Sequence, residues 1–355
     1  MPESTPPPAD RAASGSASNG SSATTHATSI AAAGSAGLSS RLVIGLSPDG
    51  VALVRRDGWF SKRWHVLTDQ PLHAMNTENG PGASGANAGK AGPESAATSA
   101  QSGSNSAAEA RQSASGVAPA HEVELLCHTL QQALQASGCT KLTSDIILAD
   151  GWARYFMVAP PKNVANMVDC RAAASMRFHQ LYGESPSDWQ IHAEWDVNHP
   201  FLACALPNKL LAQIEQSISL QKLDLASVTP FFIACWNRWC KNLQDNAWFG
   251  VVNAGFLTLA AIENGRLQAV RRSPFLPANW HDKQYLPTLL QRDALRLNLS
   301  MPAALQLCGN LPETRASEIM GTLECRRLDA GLIRQDNAQH AGSSQLTLAM
   351  LGAHA

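Results

Sequence analysis

One pattern occurs twice in this chain and restricts its fold more than any other feature. Three short extended runs, "RLVIGLS" (41–47), "VALVRRDG" (51–58) and "SKRWHVLT" (61–68), are separated by the turns "PDG" and "DGWFS". Much later, "WFGVVNA" (248–254), "LTLAAIE" (257–263) and "RLQAVRRSP" (266–274) repeat the arrangement, with "ENGR" as the last turn. Runs of this type divided by Pro, Gly, Asn and Asp are the signature of antiparallel meanders. Each meander precedes a helical periodicity (121–137 and about 281–297) and then an apolar strand, "DIILAD" (145–150) or "LQLCG" (305–309). The duplication predicts an α/β protein of two similar mixed-sheet halves facing each other across a cleft, and clefts between domains are where ligands usually sit.

Between the repeats lies a third region. "ARYFMVAP" (153–160) reads as a strand, and 163–181 as an amphipathic helix with Val164, Met167, Val168, Ala172, Ser175, Phe178 and His179 near its inner face. Strands "WQIHAEWD" (189–196) and "FLACALP" (201–207), a helix at 208–222 and a strand near 225–229 follow, then a helix carrying Trp236 and Trp239. The predicted division is a first half about 41–160, a middle subdomain about 161–247 and a second half about 248–310. Residues 311–355 form an extension of open fold, in which "QLTLAML" (345–351) reads as one more strand.

Two segments stand apart from this core. Residues 1–40 consist almost entirely of Ala, Ser, Thr, Gly and Pro, and 76–120 contain Val117 as their single larger aliphatic residue. Such compositions bury too little apolar area to offset ordering entropy, so disorder is expected in both. The second interrupts the folded core, as a long surface insert can at small entropic cost. Within it "SGANAGKAG" approaches a phosphate-binding loop, but Ser84 and Ala91 occupy the defining positions and no strand or helix flanks it.

Composition excludes several function classes. A formal net charge of −1 and short basic clusters give no footprint for nucleic acid. Eight cysteines, none in a CxxC pair and most in apolar runs, fit buried thiols in a reducing compartment. No stretch reaches the ~18 apolar residues of a membrane span, and the N-terminus lacks a signal peptide's basic and apolar regions. A cytoplasmic protein is expected.

The duplicated plan resembles the actin-like ATPase superfamily, which includes sugar kinases, heat-shock chaperones and actin. In more detail it is similar to the PilM branch, actin-like cytoplasmic proteins of type IV pilus assembly with relatives in type II secretion. The resemblance covers roughly 41–310 without the insert. It rests on "LVIGLSPDGVALV", "DIILADGWARYFMVAP", "FLACALPNKLLAQIEQSISLQKLDLASVTP" and "AWFGVVNAGFLTLAAIENGRLQAVRRSPF". It implies an actin-like, ribonuclease H-like fold with two hairpin loops for phosphates and metal and a glycine-pair loop for adenosine. At the first hairpin the family's aspartate position carries Ser47, and the loop continues through Pro48, which lacks a backbone donor, to Asp49 and Gly50. Asp49 is either a substitute acid or part of a good tight turn. At the second, Asn253, Gly255 and Thr258 match an Asp-x-Gly-x-x-Thr spacing, but the acid is an amide, and Phe256 and Leu257 are bulky for a phosphate site. At the adenosine loop Gly309 remains and Asn310 replaces the second glycine. These eight positions read as vestigial nucleotide loops.

Other constellations carry weaker chemistry. His192, Glu194 and Asp196 alternate on a predicted strand, as metal ligands or, more simply, as a solvated face. Cys235 and Cys240 flank two tryptophans on an apolar helix, a pattern for packing ahead of redox work. Trp59, Trp64, Trp189, Trp195 and Trp280 lie near turns and strand edges, where tryptophan favours protein contacts. The expected function is a non-catalytic scaffold at the inner face of the cytoplasmic membrane. The resemblance implies a PilN-like inner-membrane partner, self-association remains open, and no cofactor is expected. One alternative is an ATPase or small-molecule kinase binding ATP with magnesium through Asp49. The other is an adaptor acting through its disordered segments.

Overall fold

The computed structural model describes residues 40–57, 63–72, 120–161, 166–311, 317–320, 323–330 and 343–353. Nearly all of the segments 1–40 and 76–120, and also Trp59 and Val164, lie outside the described residues.

The first lobe begins with the meander β1 (Ser40–Ser47), β2 (Gly50–Asp57) and β3 (Arg63–Pro71). Helix α1 (Ala120–Ser137) leads to β4 (Thr143–Leu148), which pairs parallel with β1. Next, β5 (Arg154–Val158), α2 (Met167–Tyr182), β6 (Trp189–Ala193) and β7 (Phe201–Pro207) build a separate antiparallel sheet of order β5-β7-β6. The chain then returns through α3 (Asn208–Leu220) to β8 (Asp224–Pro230), parallel to β4, and enters α4 (Phe231–Trp239).

The second lobe repeats the order with β9 (Ala247–Asn253), β10 (Phe256–Glu263), β11 (Arg266–Pro274), α5 (Tyr285–Leu297) and β12 (Ala304–Gly309). A hairpin of β13 (Ser317–Met320) and β14 (Leu323–Arg327) stands where the first lobe has α3, and α6 (Ser344–Ala353) closes the fold. The two large sheets run β3-β2-β1-β4-β8 and β11-β10-β9-β12-β14-β13. Each is an antiparallel meander continued by two parallel strands, the second sheet adding β13 antiparallel at its edge, so the order that the sequence repeats is also the order in space.

The closing helices are exchanged between lobes. α6 follows a second-lobe strand yet packs on β1 and β2, while α4 follows a first-lobe strand and packs on β9 and on α6. Both sit in one apolar core that includes Leu42, Ile44 and Leu53 from one lobe and Phe249, Val251 and Cys308 from the other. Phe232 of α4 lies 5.2 Å from Tyr155 and 6.0 Å from Phe249 between ring centroids, joining both lobes and the small sheet. The run "QLTLAML", expected as a strand, is therefore helical. It is buried along its length, and an apolar run without alternation suits a buried helix as well as a strand.

Two further expectations are corrected. The inner stripe of α2 is Cys170, Ala174 and Phe178, at a spacing of four, so Phe178 is placed as expected, while Val168 faces outward and Met167 is exposed at the start of the helix. Trp189 and Trp280 are core residues instead of contact residues; the cysteines are free thiols as expected, all buried except half-buried Cys240.

Gly45 of β1 permits the contact with α6. A Cβ there would lie 2.0 Å from the Gln345 carbonyl oxygen and 2.8 Å from the Ala349 nitrogen. Gly45→Ala is expected to lower the unfolding free energy by about 1–3 kcal/mol, read as a reduced urea midpoint at unchanged slope. An unchanged midpoint would place α6 elsewhere.

Candidate functional site

The two hairpin turns and the end of β12 carry the residues singled out from sequence. Ser47 pairs with Gly50 across a two-residue turn of Pro48 and Asp49. Ser47 is buried, and its hydroxyl accepts the Asp49 backbone N–H at 3.2 Å, which makes Asp49 an exposed part of a tight turn. Gly50 is buried where a side chain would meet the Gln70 carbonyl and the Gln345 amide. Asn253 pairs with Phe256 around Ala254 and Gly255, whose φ values of 46° and 75° are the left-handed pair that such a two-residue hairpin requires.

The Asn253 side chain, 4% exposed, points at the start of α6, where its Nδ2 donates to the Ser344 carbonyl at 3.1 Å. Its Oδ1 is buried without a partner. Two further bonds hold the same turn of α6 to the first lobe. Ser343 Oγ and Gln345 Nε2 each donate to Asp69 Oδ1 at 2.8 Å. Residues 343–345 thus touch both hairpins. The amide at the acid position is matched to this arrangement, because a carboxylate would set an acceptor against the Ser344 carbonyl.

Gly309 has φ 106°, and a Cβ there would lie 2.1 Å from the Val252 carbonyl oxygen. Its N–H donates to Asp329 Oδ2 at 3.1 Å, while the Asn310 N–H donates to Val252 at 2.7 Å. Asp329 is fully buried and bound by Arg327 Nε at 2.7 Å.

A carboxylate that sequence reasoning passed over organises the space between the lobes. Asp150 follows β4 in a short 3-10 turn and is 4% exposed. Its Oδ1 accepts the Tyr155 hydroxyl at 2.6 Å and the Phe232 N–H at 2.9 Å. Its Oδ2 accepts the Thr258 hydroxyl at 3.0 Å, and its carbonyl oxygen accepts Arg272 Nη1 at 2.6 Å. Tyr155 belongs to the small sheet, Phe232 to α4, and Thr258 and Arg272 to the second lobe. Burial pushes the Asp150 carboxyl above its ordinary range, opposed by the Tyr155, Phe232 and Thr258 hydrogen bonds and the Arg272 charge. Arg272 is held below its usual value, first by burial and then by Arg154. Arg154 lies between the rings of Tyr182 and Trp189, with one nitrogen 3.3 Å from Glu184.

Among the described residues, no group of three or more His, Cys, Asp or Glu side chains could hold a metal. β6 ends at Ala193, so Glu194 and Asp196 lie beyond the strand on which they were expected to alternate, and Asp196 accepts the Asn198 and His199 N–H groups. Burial raises the Cys235 and Cys240 thiols, which disfavours reactive thiolates. No helix among the described residues is long and apolar enough to cross a membrane.

Two lobes of one strand order, with exchanged closing helices and a small third sheet, make up an actin-like fold. Among solved structures the chain is similar to the PilM-PilN type IV pilus biogenesis complex, at 13% identity and TM-score 0.49, over 89% of this chain and 98% of that one. It is also similar to the cytoplasmic domain of EpsL, an inner membrane component of the type II secretion system of Vibrio cholerae. That match has 10% identity and TM-score 0.44, over 78% and 84% of the two chains. A protein of unknown function with an actin-like ATPase fold from Bacteroides thetaiotaomicron VPI-5482 matches at 10% identity and TM-score 0.45, over 78% and 85%. At such identities the likeness concerns the fold. No family model and no curated protein matches the chain.

Two substitutions check the geometry. Asn253→Asp is expected to cost about 1–3 kcal/mol by losing the bond to Ser344, measured as a lower denaturation midpoint at pH 7. Asp150→Asn removes a titration. Since the folded-state pKa lies above the unfolded one, the stability that this group contributes is fully present below the unfolded value of about 3.9. It is lost as pH rises through the folded value. The stability of the native protein relative to Asp150→Asn is therefore expected to fall as pH rises, in denaturation series at stepped pH.

Proposed function

We propose that this protein is a non-catalytic actin-like scaffold that binds an inner-membrane partner in a pilus or secretion apparatus, working from the cytoplasmic face. The observation that carries the reading is the state of the positions where the superfamily handles phosphate and metal. Asn253 is committed to Ser344, Thr258 to Asp150, and the Gly309 N–H to Asp329. Asp150 is the acid between the lobes, and both its oxygens already accept bonds. Asp49 is an exposed turn residue.

These residues do not fit a nucleotide with magnesium, which needs free carboxylate oxygens and backbone donors facing phosphate. We read the eight loop positions as vestigial, their hairpin architecture now used for packing. A chain of this kind acts through its surface. The resemblance of its landmarks to the PilM branch supports a partner resembling PilN, a single-span protein with a short cytoplasmic segment.

Calorimetric titration of the folded protein with Mg-ATP to millimolar concentration is expected to give no binding heat. Saturable binding lost in both Asp49→Ala and Thr258→Ala would establish the ATPase or kinase reading instead. The partner half is tested with the cytoplasmic N-terminal peptide of a PilN-like protein from the same operon, for which saturable binding is expected. Capture of the partner by the intact protein that is lost when 76–120 is deleted would favour the adaptor reading.

A further inference from the structure

Ten large apolar residues are exposed among the described residues, and four of them (Met167, Val168, Met176 and Leu181) lie on α2. Met167 and Leu181 stand three residues beyond the ends of the stripe of Cys170, Ala174 and Phe178 that α2 buries against the small sheet, whereas Val168 and Met176 lie on the side turned away from it. The outward side holds two further rows at a spacing of four, Val168–Ala172–Met176 and Asp169–Ala173–Arg177, with Ala173 half-buried at the edge of the small-sheet core. Val168 is 69% exposed and Met176 is 61% exposed. Asn166 caps the helix by accepting the Val168 and Asp169 N–H groups, and Gly183 closes it, so the face is presented on a well-formed element.

We propose that this face is where two copies of the chain meet, α2 against α2, antiparallel about a twofold axis near Ala173. Rows at a spacing of four are the ridges by which helices interdigitate, and the adjacent alanines let two axes approach closely. The charges select the occupant. Asp169 and Arg177 stand four residues to either side of Ala173, about 12 Å apart along the helix. Neither forms an ion pair with a described residue, whereas Arg171 is engaged over the Trp195 ring. A twofold operation sets each Asp169 beside Arg177 of the other copy, so two ion pairs frame an apolar centre of Ala172, Ala173 and Met176. A face that carries its own complement is the requirement of an isologous contact. One helix pair buries less than the roughly 1,200 Å² of a standard interface. The dimer is accordingly weak, and forms at high concentration or where copies are already gathered. The inference rests on the fold and stands apart from the proposed scaffold function.

Sedimentation velocity of the full chain over a rising concentration series is the test, with circular dichroism to confirm folding of each variant. A reversible monomer–dimer equilibrium is expected. Met176→Glu, Asp169→Arg and Arg177→Asp are each expected to weaken it by roughly tenfold. All three sites are exposed, so folding is preserved. The double variant Asp169→Arg/Arg177→Asp restores both ion pairs with their signs exchanged and is expected to recover most of the lost affinity. A chain monomeric at the highest concentration overturns the proposal. So does a dimer indifferent to Met176→Glu, or a double variant no better than its parents, either of which would assign the face to a different protein.

Discussion

A carboxylate removed from water has to find its partners inside the protein, and Asp150 finds them on three separate bodies. Burial of an ionisable group without compensation costs several kcal/mol, so the donors cannot drift apart independently. The small sheet supplies Tyr155, the start of α4 supplies the Phe232 N–H, and the second lobe supplies Thr258. Arg272 reaches over the same turn to the Asp150 carbonyl. These bonds and the aromatic contacts of Phe232 join the second lobe to the first alongside the apolar core that both lobes share. In the space between the lobes, Tyr155, Thr258 and Arg272 are all bonded to Asp150.

The loop positions singled out from sequence follow the same logic. A glycine at 309 is required because the Val252 carbonyl oxygen would be 2.1 Å from any Cβ. An amide at 253 is required because Ser344 presents a carbonyl to it. The left-handed pair at Ala254 and Gly255 is required by a two-residue hairpin. Each choice has a local structural cause in the packing of the hairpin, β12 and α6.

Much of the architecture was legible in the sequence, because both meanders, their following helices and the parallel strands leave local periodicities. The strand order of the two large sheets follows from recognising the repeat. The helical α6 was misread because an apolar run signals burial without specifying backbone conformation. The buried stripe of α2 was partly misplaced because Val168 and Ala172 imitate an inner face while Cys170 and Ala174 look unremarkable, although Phe178 was placed correctly. The Asp150 network was invisible for a different reason. Its bonds join residues 108 and 122 positions apart, and no local pattern encodes such a meeting. The one available signal was an acid ending the apolar run "DIILAD".

The exchange of closing helices has a consequence for how the chain is made. The face of β1 at Gly45 is covered by a helix some 300 positions further on. During synthesis, folding generally proceeds from the N-terminus as sequence emerges. The first lobe therefore leaves the ribosome with an apolar surface exposed, and keeps it exposed until the second lobe has been translated. Long-range closure of this kind slows folding and lengthens exposure to aggregation. The first meander and α6 are thus one folding unit divided in time, and a truncation before Ser344 would strip the cover from the opposite end of the sequence.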